Sequence, residues 1–325
     1  MVLFRVNKEE SGQTIEKYVR KVLNYAPLSF IYKLFRKKDI KINGHWVDSK
    51  AIINEGDEVK IYATDEQLAA FRKEKELVKE DLISNLIIYE DENILIVNKP
   101  RNLLVIKDEA NQKSLTDMVL SYLYFKGDYD PKVDVGFIPG PAHRIDRNTS
   151  GLVIYGKNIK TLQNLYEIIK EKEAISKHYI ALVYGNIDSD GEVNAPLKKN
   201  EDSNKVIVAS LKDGAKEAKT SYHVIENIKE YSLLDLTLYT GRTHQIRVHM
   251  SYINHPLVGD AKYGDYKVNH EFEKLYHFKN QFLHASEIHF GKLEGTLSYL
   301  SKKCFIAPLN KELSDIINTL KNRED

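Results

Sequence analysis

The sequence predicts an α+β protein, a small N-terminal module followed by a larger mixed domain, and three observations carry that prediction. The chain has 325 residues, long for one domain and comfortable for two. Residues 64–82, TDEQLAAFRKEKELVKEDL, mix charges of both signs without Gly or Pro and read as a helix-prone linker. Beyond it, short β-like runs are separated by helical stretches over a span that one domain can reach. The predicted parts are 12–63, 64–82 and 83–325.

In the first part Ile15, Val19, Val22 and Leu23 recur at helical spacing, and so do Phe30, Ile31, Leu34 and Phe35. Pro27 separates the two helices, with Ser29 placed to cap the second. Ile40-Lys41-Ile42, the Asn43-Gly44 turn, Trp46-Val47 and Val59 to Tyr62 read as a hairpin-like sheet. In the last part, strands are predicted at Leu86–Tyr89, Ile94–Val97, Leu152–Tyr155, Tyr179–Tyr184, Thr220–Val224 and Leu233–Leu238. Helices are predicted at Ser114–Tyr124, Ile159–Lys172, Arg242–Asn254 and 311–322, the last amphipathic.

Composition narrows the function. The 48 basic and 47 acidic residues leave a formal charge of +1, so a nucleic-acid partner must be met by a local patch. Residues 12–50 supply one: nine Lys or Arg against three acids, a difference of +6. Lys33, Arg36, Lys37 and Lys38 fall on the second helix and the turn after it, and Lys41 on the next strand. Such a run is often only a solvated face, but beside a tight hairpin in so small a module it points to phosphate binding. No apolar run approaches the roughly 18–20 residues that span a bilayer, and MVLFRVNKEESGQ turns polar too soon for a signal peptide. Cys304 is the single cysteine, which excludes an internal disulfide and a multi-cysteine zinc site. A cytoplasmic protein is expected.

Three stretches could carry chemistry. AHRIDRNTSGL, 142–152, sets Asp146 between Arg144 and Arg147 before a strand. Two guanidinium neighbours favour the ionised carboxylate, which suits a nucleophile or a stabilising charge better than a general acid; a surface ion pair is the plain alternative. KHYIALVYG, 177–185, is a strand whose Lys177, Tyr179 and Ala181 share one side. A core tyrosine is the commoner fate of such a residue. TGRTHQIRVH, 240–249, gathers Arg242, Thr243, Gln245 and Arg247, a density of forked and amide donors that suits phosphate or carboxylate. His244 and His249 are five apart, the wrong spacing for one metal-binding helix face. Ser150 lacks a G-x-S-x-G elbow, and no dinucleotide or Walker glycine pattern occurs.

Taken together these stretches resemble the RluA-type family of pseudouridine synthases. HRIDRNTSGL is similar to its H-R-L-D-x-x-T-S-G loop, KHYIALVYG to its K-x-Y-x-A strand and TGRTHQIRVH to its G-R-x-H-Q-I-R segment. Val97-Asn98-Lys99-Pro100, Ala218 to Tyr222, Gly259-Asp260 with Tyr263-Gly264, and Leu283-His284-Ala285 follow in the family's order. Ile145 replaces the usual Leu, a volume-conserving change. Asn102 stands where the family often has Gly, which leaves the 100–103 loop geometry open. FIYKLFRKKDIKING and EGDEVKIY are similar to the S4 RNA-binding module. An S4 module ahead of this domain is the layout of enzymes acting on 23S ribosomal RNA, and Arg147 with Thr149-Ser150 leans towards the RluC type.

The resemblance implies a pseudouridine synthase fold with a mixed, largely antiparallel central sheet. It implies an isomerisation that breaks N1–C1′, turns the uracil and rejoins it through C5, with neither metal nor cofactor. Asp146 would attack C1′ or take the C2′ proton. Arg247 would pair with Asp146, and Tyr179 would abut the uracil as a candidate for removing the C5 proton. Arg144 would fill the gap left by the extracted base. Arg242, His244, Gln245 and the basic residues Lys33, Arg36, Lys37, Lys38 and Lys41 would contact RNA. The implied partner is 23S ribosomal RNA, with no membrane involved. A family member acting on tRNA or another rRNA site, and a non-catalytic ribosome-assembly factor, are the alternatives.

Overall fold

The computed structural model describes residues 1–72, 81–108, 113–134, 136–171, 174–200 and 205–323. The chain forms two compact units, one of Met1–Leu95, Thr116–Ala142 and Ile154–Tyr166, the other of Ile96–Leu115, His143–Val153 and Glu167–Asp325.

The first unit opens with β1 (Val2–Arg5), α1 (Ile15–Val22), α2 (Leu28–Arg36), β2 (Ile40–Ile42), β3 (His45–Trp46), β4 (Glu58–Ile61) and α3 (Asp65–Phe71). The four strands form one antiparallel sheet in the order β1-β4-β2-β3. The apolar positions at helical spacing face it, so that Ile15, Tyr18, Val19, Ile31 and Leu34 bury against Val59 and Ile61. Strand β1 lies ahead of the 12–63 span predicted for the module. The cap expected at Ser29 is corrected. Pro27 occupies the N-cap of α2 at φ −63°, no side chain caps the helix, and Ser29 sits inside its first turn. Thr64 and Gln67 form a reciprocal capping box that starts α3. Residues 73–80 of the predicted linker lie outside the described residues.

Later elements of the first unit are β5 (Ile87–Glu90), the start of β6 (Ile94–Lys99), most of α4 (Leu115–Lys126), β7 (Gly140–Pro141), the end of β8 (Ser150–Gly156) and most of α5 (Ile159–Ile168). The module's own residues engage one of these later loops. Gln13 Nε2 and Lys21 Nζ each donate to Gly136 O at 2.8 Å, while the Glu10 carboxylate accepts from Gly136 N. Burial pushes the Glu10 carboxyl above its ordinary value.

The second unit adds β9 (Ile175–Tyr184), β10 (Gly191–Asn194), β11 (Leu197–Asn200), β12 (Lys205–Val208), β13 (Lys219–Ile228), β14 (Tyr231–Leu238), α6 (Gln245–Tyr252), α7 (Tyr266–Tyr276), β15 (Leu283–Phe290), β16 (Cys304–Ile306) and α8 (Lys311–Asn322). Its sheet runs β10-β13-β14-β9-β15-β8-β6, with β16 beside β15. The pairs from β10 to β15 are antiparallel and the β15–β8 pair is parallel, a mixed, largely antiparallel sheet. Helices α7 and α8 supply Phe272, Leu313, Ile316 and Leu320 to a core shared with Leu182, Tyr231 and Phe282.

Two features of this sheet set up the site. Leu236 pairs with Tyr179 and Leu238 with Lys177, so one face of β9 presents Lys177 and Tyr179 together. The parallel contact of β8 with β15 depends on Gly151, at φ +111°, where a Cβ would lie 2.2 Å from Ala285 O. The predicted helix from Arg242 starts three residues later, at Gln245, because the preceding segment forms a tight loop.

Candidate active site

The loop carrying Asp146 is fastened on both sides. Within it, Thr149 N donates to Asp146 O at 3.1 Å, closing a turn. Downstream, Ser150 Oγ lies 2.9 Å from His284 Nδ1, and His284 Nε2 donates to Ala307 O at 3.0 Å. Upstream, Lys99 is fully buried and its Nζ donates to Pro100 O, Leu103 O and Arg147 O at 2.8, 2.8 and 3.0 Å. One ammonium therefore ties the Lys-Pro loop to the Asp146 loop. Burial pushes Lys99 down to about 7, against the opposing pull of the Asp146 charge. The 100–103 geometry left open by the sequence is supplied by Asn102, which takes the left-handed φ of 62° that a glycine would otherwise provide.

Arg247, on α6, meets two carboxylates. Its Nε and Nη2 reach Asp260 Oδ2 and Oδ1 at 2.7 and 2.8 Å, a bidentate pair, and Nη1 reaches Asp146 Oδ2 at 3.0 Å. Asp260 is itself fixed, because its Oδ1 also accepts from the backbone N–H groups of Lys262 and Tyr263. The guanidinium lies over the Tyr263 ring, 5.1 Å from its centroid. Burial works against the guanidinium's charge, but the Asp260 pair outweighs it and holds Arg247 protonated. With Nε and Nη2 held by Asp260, Arg247 has Nη1 left to orient Asp146.

The 240–244 loop is built around Gln245. Its Oε1 accepts from Thr240 Oγ1 at 2.7 Å and Arg242 N at 3.0 Å, while Nε2 donates to Lys219 O and Thr220 Oγ1, both at 3.0 Å. Gln245, expected to contact RNA, is buried with both ends of its amide committed to the protein. His244 sits at φ 54°, an uncommon backbone state for a non-glycine residue, with Nδ1 2.9 Å from Tyr263 OH. Burial lowers its pKa. Arg242 is exposed and donates through Nε to Glu217 O.

These segments enclose a cavity of about 500 Å³ lined by Asp146, Tyr179, Arg247, His244, Lys177 and Leu283, among others. Tyr179 is buried, and burial, followed by the Asp146 charge, pushes its phenol up, so the phenol stays protonated. Arg144 and Arg147 lie in the cavity wall with exposed side chains. The Arg147 side chain pairs with neither Asp146 nor Arg247; its backbone oxygen takes the Lys99 bond. Lys33, Arg36, Lys37 and Lys38 are exposed residues of the first unit, with the Lys38 amine over the Trp46 ring and the Lys41 amine over Tyr62. Among the described residues one group of three potential metal donors occurs, Glu287, His289 and Cys304. It lies on β15 and β16, outside the cavity lining, and His289 Nε2 already pairs with Glu287 Oε2 at 2.6 Å.

Asp260, Lys99 and Lys177 are site residues to which the sequence motifs attached no role. Each stands inside a recognised motif, and only the fold shows which of them reach the cavity and which brace it.

A family model described as RNA pseudouridylate synthase matches residues 93–252. An uncharacterized RNA pseudouridine synthase of Mycoplasma capricolum is 34% identical over 94% of this chain and 97% of its own length. The ribosomal large subunit pseudouridine synthase C of Salmonella typhi is 30% identical over 97% of this chain and 95% of its own. The solved structure of human RNA pseudouridylate synthase domain containing 4 superposes with a TM-score of 0.59 at 21% identity, covering 74% of this chain and 94% of that one, a likeness of fold. The chain belongs to the RNA pseudouridine synthase family, whose members are isomerases.

Proposed function

We propose that the chain converts specific uridines of large-subunit ribosomal RNA to pseudouridine with Asp146 as the catalytic carboxylate. The observation that carries this reading is the 3.0 Å contact between Arg247 and Asp146 at a cavity also lined by Tyr179. A carboxylate oriented by a guanidinium that is itself clamped by Asp260 keeps its aim when the nucleotide arrives. It attacks C1′ or takes the C2′ proton while N1–C1′ breaks; the freed uracil turns, and C5 joins C1′. The C5 proton is lost and N1 gains one, so the reaction is redox-neutral and needs no cofactor. Tyr179 packs against the uracil; burial that holds its phenol protonated makes it a surface and a hydrogen-bond donor and argues against the C5-proton removal that the resemblance implies.

The target base is inaccessible while stacked, so it leaves its helix at a cost of a few kcal/mol. Arg144 fills the gap it leaves, and Arg242 and His244 hold the neighbouring backbone. Residues 12–63 act as an S4-type RNA-binding module through Lys33, Arg36, Lys37, Lys38 and Lys41, whose phosphate contacts offset the extraction. Support for a ribosomal substrate comes from the relatives named as large subunit synthases, which align over nearly the whole chain. The cytoplasm, where ribosomes are assembled, is the matching location. Pseudouridine mapping of rRNA and tRNA from cells with and without the chain tests the reading. Loss of particular large-subunit rRNA sites is expected; loss confined to tRNA overturns the ribosomal assignment.

A further inference from the structure

Lys177 lies two residues before Tyr179 on β9, so the two side chains leave the same face roughly 7 Å apart. Both line the cavity. The neighbours of Lys177 across the sheet are Leu238 and Ile288, both apolar. A Cβ on Gly241 would lie 3.9 Å from its Nζ, which puts the amine beneath the 240–244 loop. Among the described residues no hydrogen bond or ion pair engages this amine. The Asp146 charge bears on Tyr179, whereas burial alone acts on Lys177 and lowers its pKa. His143, also in the cavity wall, is pushed down to about 3 by burial first and by Lys177 second, so it is a neutral neighbour. A half-buried cation without a counter-ion is costly unless a guest supplies the acceptor.

The chemistry of the guest fits this position. A uracil placed with C1′ at Asp146 and its ring against Tyr179 would leave its far edge for Lys177, which lines the same cavity. In uridine the carbon opposite N1 is C4, which carries O4. In pseudouridine the carbon opposite C5 is C2, which carries O2. A donor at the far edge therefore meets a carbonyl oxygen both before and after the ring turns. When N1–C1′ breaks, the electron pair stays on the uracil and spreads onto O2 and O4.

Building on the function proposed above, we infer that Lys177 is a catalytic residue whose ammonium holds the uracil by its far carbonyl and stabilises the negative charge released on bond cleavage. No proton is transferred in this step; the ammonium only donates a hydrogen bond, and the ring's electron pair goes on to form C5–C1′. The same contact selects uracil, because cytosine would turn its 4-amino donor towards a donor.

The test is single-turnover conversion of a large-subunit rRNA substrate, with RNA affinity measured alongside. Removing one preorganised donor to a developing anion costs about 10²–10³ in rate. Lys177→Met is expected to slow conversion by about 100-fold while RNA affinity stays within about threefold, because the phosphates that the protein neutralises are the same. In a Cys304→Ser background, Lys177→Cys treated with bromoethylamine restores an ammonium at nearly the original reach. The treated protein should recover at least about tenfold over its untreated parent, a gain that needs no assumption about the fold of Lys177→Met. An undiminished rate in Lys177→Met, a loss confined to RNA affinity, or no recovery on aminoethylation overturns the inference. A wild-type protein that makes no pseudouridine in rRNA or tRNA overturns it together with the function on which it rests.

Discussion

Arg247 is shared by two aspartates whose surroundings assign them different work. Asp260 has a fully buried side chain and is bonded on both oxygens, whereas the Asp146 side chain is 27% exposed at the cavity. Breaking a buried, hydrogen-bonded ion pair costs about 3–5 kcal/mol, and a partly exposed one about 1 kcal/mol or less. Asp260→Asn should therefore lower the urea midpoint clearly, while Asp146→Asn leaves it nearly unchanged. Equal midpoints would contradict Asp260 as the clamp. At this scale much is legible in the sequence. The motifs single out Asp146, Tyr179 and Arg247, and all three line one cavity. The clamp is not legible, because nothing in GDAKYG says that its Asp turns back by 13 positions onto Arg247. Gln245 shows the converse, a polar residue that reads as a ligand-binding donor yet is consumed by its own loop.

At the scale of elements, legibility follows apolar periodicity. Helix α8 and the strands around Leu152 and Leu233 carry dense apolar patterns and fall where the pattern puts them. Strand β11 carries only Leu197 as a buried anchor before Lys198, Lys199 and Asn200, and its partner β12 offers the short run Val206-Ile207-Val208 with Val206 alone buried, so neither has the length of apolar pattern that the predicted strands have. Helix α7 is not among the predicted helices: its buried anchors Val268 and Phe272 stand among charged and polar residues, and its start is marked by Asp265, whose Oδ1 accepts from Lys267 N and Val268 N. Helix α2 and the turn after it carry the prediction that belongs here. Replacing Lys33, Lys37 and Lys38 together by Gln leaves the buried face of α2 intact, since all three side chains are exposed. The log–log dependence of rRNA affinity on salt should become shallower by roughly 0.7–0.9 for each phosphate that is no longer neutralised. An unchanged slope, measured by filter binding over a salt series, would make this run a solvated face.

For the whole molecule, the two compact units are each drawn from three separate stretches, a grouping carried by long-range contacts that local periodicity does not contain. Another property of the whole is its burial of neutral imidazoles. His143, His244, His249 and His284 all have their pKa lowered, in each case chiefly by burial. The unfolded chain takes up these protons as pH falls below about 6.5, while the native chain does not until lower pH. Their contribution to stability is thus complete above that value and is lost progressively as pH falls towards the native values. His178 and His223, raised by their hydrogen bonds to Asp235 and Asp190, act in the opposite direction. The four buried imidazoles outnumber them, so thermal midpoints measured from pH 7.5 to 5 should decline; a rise in the midpoint as pH falls would contradict the burial of neutral histidines. At the upper end of that range, where the fold is most stable, Asp146→Asn gives the most direct test of the central claim. Wild-type and Asp146→Asn proteins would be incubated with large-subunit rRNA, with pseudouridine mapped and RNA affinity measured in parallel. Site-specific pseudouridine from the wild type, none from the variant and equal affinities are predicted; a variant that still turns over would contradict the assignment of Asp146 as the catalytic carboxylate.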